Sequence, residues 1–329
     1  MKVDCGVLLS VITPVFNEEE NILTFLESMV KQSIDDFELI IIDDGSTDST
    51  SNIIEGFHST KFNFKLLKQS NLGAAQARER GVNEANGKYI AFVDCDDLLL
   101  EDSLESTIFS MRDDSDIDIS LFDLYHCTDK GEISLDNKFR CYTSIRKISG
   151  GDAFNNCISS WGLHGFGIYK KELLLQAYSK YYYYNTSKIN YLNNDEVIIR
   201  ICFDLSKSIY LSNGKYLFIN NPNSTVRRVN NNYNNVLKNA FFLYHYVNDK
   251  NSSAHQESCV NAAGDLIIST IWGVFIRYLK WYSSFKKEDR ISWRQSIRGS
   301  IDMYLKLSNK SRALSMKKYI QLKILCFFR

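Results

Sequence analysis

A chain of 329 residues that is 44% hydrophobic, 13% aromatic and 24% charged can bury a sizeable core, which excludes a disordered or fibrous protein. Two prolines and 16 glycines exclude a collagen-like or linker-dominated one, and the length predicts two folding units or one large domain with an appendage. The net charge of zero hides an asymmetry: residues 1–150 hold 14 Lys+Arg against 28 Asp+Glu, residues 151–329 hold 25 against 11, and residues 277–329 alone hold 14 against 3.

In chain order, predicted strands at 7–13, 37–42, 64–68 and 89–93 alternate with predicted helices at 19–32, 48–58, 74–85 and 101–111, and 118–125 reads as a further strand. This alternation predicts a mostly parallel sheet covered on both faces, with ligands bound beyond the carboxyl ends of its strands. From 131 to 220 the pattern is mixed, with helices at 151–158, 171–178 and 195–204 and short strands at 167–169, 208–211 and 216–219. The tyrosines 181–184 read as strand, either lining a sugar-stacking cleft or simply half-buried. Beyond 233 the signal is helical, at 233–247, 257–285, 291–307 and 315–326. The expected division is therefore an α/β domain over 1–230 and a helical, basic region over 231–329.

Eight dispersed cysteines without a CxxC pair or a Cys/His cluster fit a reducing cytosol. The N-terminus lacks the basic start and cleavage site of a secretory leader. The longest apolar run, 266–276, is about half of the roughly 20 residues a bilayer span needs, so no span is expected.

Four features follow the first four strands. In Thr13-Pro14-Val15-Phe16-Asn17-Glu18, Pro14 is expected to stop the strand and Phe16 to offer a ring to a flat ligand. In Asp43-Asp44-Gly45-Ser46-Thr47-Asp48 a carboxylate can accept from a nucleobase or ribose while Gly45 lets backbone approach, although Ser46 or Asp48 can equally cap a helix. Gly73-Ala74-Ala75 permits close packing at a helix start, with Arg78 one turn in, able to reach a phosphate or to remain a surface residue beside Glu79. The sharpest feature is Asp94-Cys95-Asp96-Asp97 after an apolar strand: at strand periodicity Asp94 and Asp96 point the same way, and two like charges held together call for a cation. A hard divalent ion takes one or two such carboxylates and completes its shell with phosphate and water oxygens. A solvated acidic loop is the alternative.

In order and spacing, SVITPVFNEEENI, IIDDGSTDST, NLGAAQARERG and GKYIAFVDCDD resemble the family 2 glycosyltransferases, the inverting nucleotide-sugar enzymes of the GT-A fold, closely over about the first 105 residues. The resemblance implies a donor-binding part over 1–105 and an acceptor-side part over 106–230. It places Pro14, Phe16, Asn17, Glu18, Asp44, Gly45, Ser46, Gly73, Arg78, Asp94, Cys95 and Asp96 in the donor site, with Asp44 on the base, Arg78 near the diphosphate, and Asp94-Cys95-Asp96 as the DxD motif. Asp96, with Asp94, would hold Mn²⁺ or Mg²⁺. The segment Asn194-Asp195-Glu196 resembles the family's acid pair with Asn in place of the first acid, so that Asp195 becomes the catalytic base, one residue of register from Glu196. The run 222–229 is looser, with Arg227 or Arg228 available to the leaving diphosphate.

The implied activity is metal-dependent, non-processive transfer from a nucleoside-diphosphate sugar, UDP by resemblance, to a glycan or lipid-linked saccharide; the Gln-x-x-Arg-Trp signature of processive synthases is absent. A C-terminal stripe of Leu314, Tyr319, Leu322 and Leu325 flanked by Lys317, Lys318, Lys323 and Arg329 suits an anionic membrane surface, or packing on the catalytic domain or a second subunit. The expected localisation is cytoplasmic, peripheral on the membrane's cytoplasmic face, with no nucleic-acid partner. Two other readings stand: a haloacid dehalogenase-type phosphohydrolase with Asp94 as nucleophile, which Leu98 and the position of the motif disfavour, and an inactive sugar-binding module.

Overall fold

The computed structural model describes residues 7–127, 137–139, 143–189, 191–219, 229–250, 254–307 and 314–329. The chain forms two compact units, one of residues 1–156, 164–180 and 198–221, the other of 157–163, 181–197 and 222–329. The division is thus not a single cut near 230: two earlier segments, including the one that carries Asp195, group with the C-terminal helices.

The first unit is built on one sheet. Its strands are β1 (Leu9–Val15), β2 (Phe37–Asp43), β3 (Asn63–Lys68), β4 (Tyr89–Phe92), β5 (Leu98–Leu99), β6 (Ile117–Cys127), β7 (Lys147–Ser149), β8 (Gly167–Lys170) and β9 (Ser208–Ile219). They lie in the order β3-β2-β1-β4-β8-β6-β9-β5, with β7 also on β9. β1 is parallel to β2 and β4, β2 to β3, and β6 to β9, whereas β8 runs antiparallel between β4 and β6. Strand order reverses between β1 and β4, which opens a ligand crevice at their carboxyl ends. The intervening helices are α1 (Ile22–Val30), α2 (Thr50–Glu55), α3 (Ala74–Glu84), α4 (Ser103–Asp113) and α5 (Gly150–Cys157), followed by α6 (Lys171–Tyr184) and α7 (Asn194–Leu205). α1 shows why these segments are helical: Ile22, Phe25, Leu26 and Met29 recur on one face and are buried in the core with Leu9, Val11, Leu39 and Ile41.

Pro14 does not stop β1, which continues to Val15. Val93 N–H donates to Ile12 O, so Pro14, two residues on, turns its missing donor toward β4 beyond the last β4 pair at Ile12, where no ladder bond is lost. The two strands expected at 208–211 and 216–219 are one, β9, interrupted by a register jump from Leu121↔Leu211 to Asp123↔Lys215, with a bulge at Ser212, Asn213 and Gly214. The tyrosines 181–184 end α6 instead of forming a strand: Tyr181 is buried and Tyr183 exposed.

The second unit is helical, with α8 (Val236–Asn248), α9 (Ala254–Trp281), α10 (Lys287–Lys306) and α11 (Met316–Phe328). Trp293 is fully buried against Trp281 and Phe285, and its Nε1 donates to Asn231 O at 2.7 Å. Contrary to the expectation from the 266–276 run, residues Glu257–Ser284 are long and apolar enough to cross a bilayer by length and composition. Of the most apolar window, 61% is buried, and α9 packs on α8, α10 and α11, as the core helix of a bundle does. On α11 the stripe also differs: Leu325 faces inward, whereas Met316, Tyr319, Ile320, Ile324 and Phe327 are exposed.

Candidate active site

The carboxyl ends of β1, β2 and β4 bring the motifs of the donor region to one edge. The β1 and β2 loops are laced together. Asn17, in the left-handed region at φ 56°, donates its N–H to Ser46 Oγ (3.0 Å) and accepts from Thr47 N–H at Oδ1 (2.8 Å). Glu18 N–H donates to Thr50 Oγ1, and Ser49 N–H to Glu19 (2.9 Å). Asp48 accepts from Thr50 N–H at 3.0 Å, while the N-cap of α2 is Ser49, without a side-chain cap bond, so neither Ser46 nor Asp48 is the cap residue. Phe16 is 42% exposed, a ring left open at this edge.

The neighbouring acids of β2 divide their work. Asp43 accepts from Ser46 N–H (2.8 Å) and from Ser51; burial raises its carboxyl, but these hydrogen bonds prevail and hold it below its ordinary value. Asp44, 3% exposed, accepts from Leu72 N–H (2.8 Å), Gly73 N–H (2.7 Å) and Gln69 Nε2 (2.9 Å), and so clamps the loop that opens α3. Gly45 (φ 85°) and Gly73 (φ 90°) supply the left-handed turns this loop crossing needs, and a Cβ on Gly45 would come within 3.2 Å of Asn71 N and Gln69 O.

Beyond β4, burial alternates with period two: Asp94 and Asp96 are half-buried, Cys95 and Asp97 buried. Both acids of the DxD pattern thus keep part of their surface open, within a turn closed by Asp97 N–H donating to Asp94 O at 3.1 Å. Asp94 Oδ1 pairs with Arg78 Nη2 at 2.6 Å, which joins the α3 arginine to the motif. Asp97, which sequence reasoning left as a third acid without a role, accepts from Tyr216 Oη (2.7 Å) and Ile219 N–H (2.8 Å). Burial first, and then the like charges of Asp94 and Asp96, push its carboxyl well above the usual range against those two bonds. Tyr216 Oη also accepts from Asp94 N–H at 3.1 Å, so one buried phenol ties the motif's backbone to its last acid. No sequence signal marked Tyr216, because the β9 bulge decides where its hydroxyl arrives. Tyr216→Phe is expected to lower stability by about 1–3 kcal/mol in urea unfolding and, through the loosened Asp94 turn, to raise the donor KM more than it lowers kcat. An unchanged KM ratio would make Tyr216 purely structural.

In the second unit, Asp195 and Glu196 occupy the first turn of α7 and differ in employment. Glu196 accepts from Gly162 N–H (3.0 Å) and Leu163 N–H (3.3 Å), whereas Asp195 is exposed, with no hydrogen-bond or ion-pair partner among the described residues. The turn before α7 is pinned: Asn193 sits at φ 60°, Asn239 Nδ2 donates to Leu192 O and Asn193 Oδ1 (both 2.9 Å), and Tyr181 Oη donates to Asn239 Oδ1 at 2.8 Å. Arg227 and Arg228 lie outside the described residues.

Two half-buried carboxylates in the turn after β4 are a hard, oxygen-only donor set, which fits Mg²⁺ or Mn²⁺ completed by phosphate oxygens. Among the described residues no three His, Cys, Asp or Glu side chains form a complete metal cage.

Residues 10–174, half the chain, match the family model for glycosyl transferase family 2. The chain belongs to that family and is a glycosyltransferase. It is 25% identical over 233 residues to the glycosyltransferase GlyG of Streptococcus pneumoniae, covering 67% of this chain and 73% of GlyG. It is 33% identical over 148 residues to the minor teichoic acid biosynthesis protein GgaA of Bacillus subtilis, covering 43% of this chain but only 33% of GgaA. The structure of S. aureus TarS 1-349 in complex with UDP-GlcNAc aligns with 90% of this chain and 81% of its own at TM-score 0.64 and 18% identity, a likeness of fold. The GT-A fold and the helical C-terminal region expected from the sequence are those observed. Membership sets aside the phosphohydrolase reading.

Proposed function

We propose that this glycosyltransferase moves a sugar from a nucleoside-diphosphate donor, with UDP as the nucleotide, to a hydroxyl of a glycan or lipid-linked saccharide, by single displacement with inversion and one sugar per encounter. The observation that carries the reading is the pair Asp94 and Asp96 just after β4, with Asp94 held by Tyr216 and Arg78, beside the β1–β4 switch point. The UDP-GlcNAc named for the TarS structure supports the donor class, and the polymer named for GgaA supports a cell-envelope glycan as acceptor.

In this reading Phe16 and Asp44 flank the base, with the donor competing for the hydrogen bonds that Asp44 makes to the 69–73 loop. Asp96, with Asp94, would hold Mn²⁺ or Mg²⁺, which when bound supplies positive charge to the diphosphate. Arg78 shifts from Asp94 to the leaving oxygens and meets the negative charge that grows there as the sugar–phosphate bond breaks. Asp195 takes the proton of the acceptor hydroxyl, whose oxygen pair forms the new bond at the anomeric carbon as the old bond's pair leaves on the diphosphate. Incubation with radiolabelled UDP-sugars and Mn²⁺ tests the reading. Labelled sugar released slowly as hydrolysis product, together with UDP, supports it; saturable binding without turnover would make the chain a binding module.

The acceptor's membrane setting belongs to the same proposal. Phe327 is 95% exposed, in line with Ile320 and Ile324 and beside Lys317 and Lys323, the combination an anionic leaflet attracts. Joint replacement of Ile320, Ile324 and Phe327 by serine is expected to lower co-sedimentation with phosphatidylserine vesicles about tenfold or more, given roughly 1.5–3 kcal/mol for each fully buried apolar side chain. Unaltered partitioning would defeat membrane docking.

A further inference from the structure

Within the first unit a cavity of about 600 Å³ opens beside the β6–β9 bulge, and none of the donor-site residues lines it. Its polar wall includes Asp123, Lys138, Arg146, His164, Ser212 and Asn213. Lys138 and Asp123 neutralise each other at 2.6 Å. Arg146 is held by two neutral acceptors, Tyr210 Oη (3.3 Å) and Asn213 Oδ1 (2.7 Å), and no carboxylate pairs with it among the described residues. Among the described lining residues the surplus charge is thus one oriented guanidinium, the group suited to phosphate or carboxylate.

His164 supplies an independent signal. It is 3% exposed, and its Nε2 lies 2.7 Å from Phe122 O, an atom that only accepts, so Nε2 carries the hydrogen. Burial pushes the imidazole down to about 4, which leaves it neutral with Nδ1 as a lone-pair acceptor. Nδ1 is buried and has no partner among the described residues. A buried acceptor left unmet by the protein is uncommon and calls for a donor from elsewhere.

We propose that this cavity binds a small polyol bearing one anionic group, with Arg146 holding the anion and a ligand hydroxyl donating to His164 Nδ1. The Phe139 ring lies tilted against His164 at the cavity wall, with centroids 5.7 Å apart. The site is separate from the donor assignments, using none of Asp94, Asp96 or Arg78, and so survives or fails independently of them. A phosphorylated and a carboxylated ligand share this chemistry, and the test separates them.

The full chain is titrated calorimetrically with glycerol 3-phosphate, glucuronate, glycerol and inorganic phosphate, while nitrogen-resolved NMR follows the histidine rings. Glycerol 3-phosphate or glucuronate is expected to bind at least about tenfold more tightly than glycerol or phosphate and to shift the His164 Nδ1 resonance. Arg146→Ala, at the exposed rim, is expected to weaken that binding about tenfold or more, and Asp96→Ala to leave it unchanged. His164→Phe should remove the preference over phosphate. Should this buried variant fail to fold, the Arg146→Ala titration and the ring resonance decide alone. Absence of binding by both anionic polyols, binding indifferent to Arg146→Ala, phosphate binding as tightly as they do, or loss in Asp96→Ala would each overturn the proposal.

Discussion

Asp96→Ala is expected to abolish metal-dependent donor binding and to reduce transfer by about 10³-fold or more, the scale on which a lost electrostatic contact to a developing anion is felt. Asp94 alone cannot substitute, because Arg78 engages it at 2.6 Å and a carboxylate shared with a guanidinium is a poorer cation ligand. The fold should tolerate the change. Asp96 is only half-buried, and the bonds that tie the turn to β9 belong to Asp94 N–H and to Asp97, so the loss of stability in urea unfolding is expected to be smaller than for Asp97→Ala. Asp97→Ala is the contrasting case: it strips the partner from Tyr216 and Ile219 and should destabilise the protein by about 1–3 kcal/mol. Undiminished metal-dependent donor affinity in Asp96→Ala would remove that residue from the metal site.

Asp195→Asn is expected to separate binding from chemistry. Donor affinity should stay within about twofold while kcat falls by about 10²–10⁴, because the amide keeps the shape and loses the base. Glu196→Gln gives a different pattern. Its carboxylate holds the N–H groups of Gly162 and Leu163, so the loss expected is of stability, with kcat retained by the folded fraction. An active Asp195→Asn protein together with an inactive but stable Glu196→Gln protein would exchange the two roles. The two adjacent acids differ in hydrogen bonding: Glu196 is employed by the backbone and Asp195 is exposed.

The β1–β4 half of the fold was legible because each parallel strand is a short apolar run followed by its loop motif, and residues that act at strand ends stay local in sequence. What was not legible depends on pairing between distant segments. Tyr216 reaches Asp94 and Asp97 only because β9 carries a bulge at Ser212, Asn213 and Gly214, where three residues face one of β6. Pro14 reads as a strand terminator until the register shows β4 ending before it. The tyrosines 181–184 have strand propensity, yet they close a helix in which Tyr181 is buried against Asn239. The role of Asn239 in pinning the start of α7 could not be seen at all, since nothing in the sequence near residue 239 refers to residue 193.

The pairing of Asp94 and Asp96 around a cation that a diphosphate completes is tested most directly by the electron paramagnetic resonance signal of free Mn²⁺. In the presence of the protein and UDP together, that signal is expected to fall well beyond what either causes alone, and Asp96→Ala should restore it. A signal that falls no further when the two are combined, or that is unaffected by Asp96→Ala, would contradict the account.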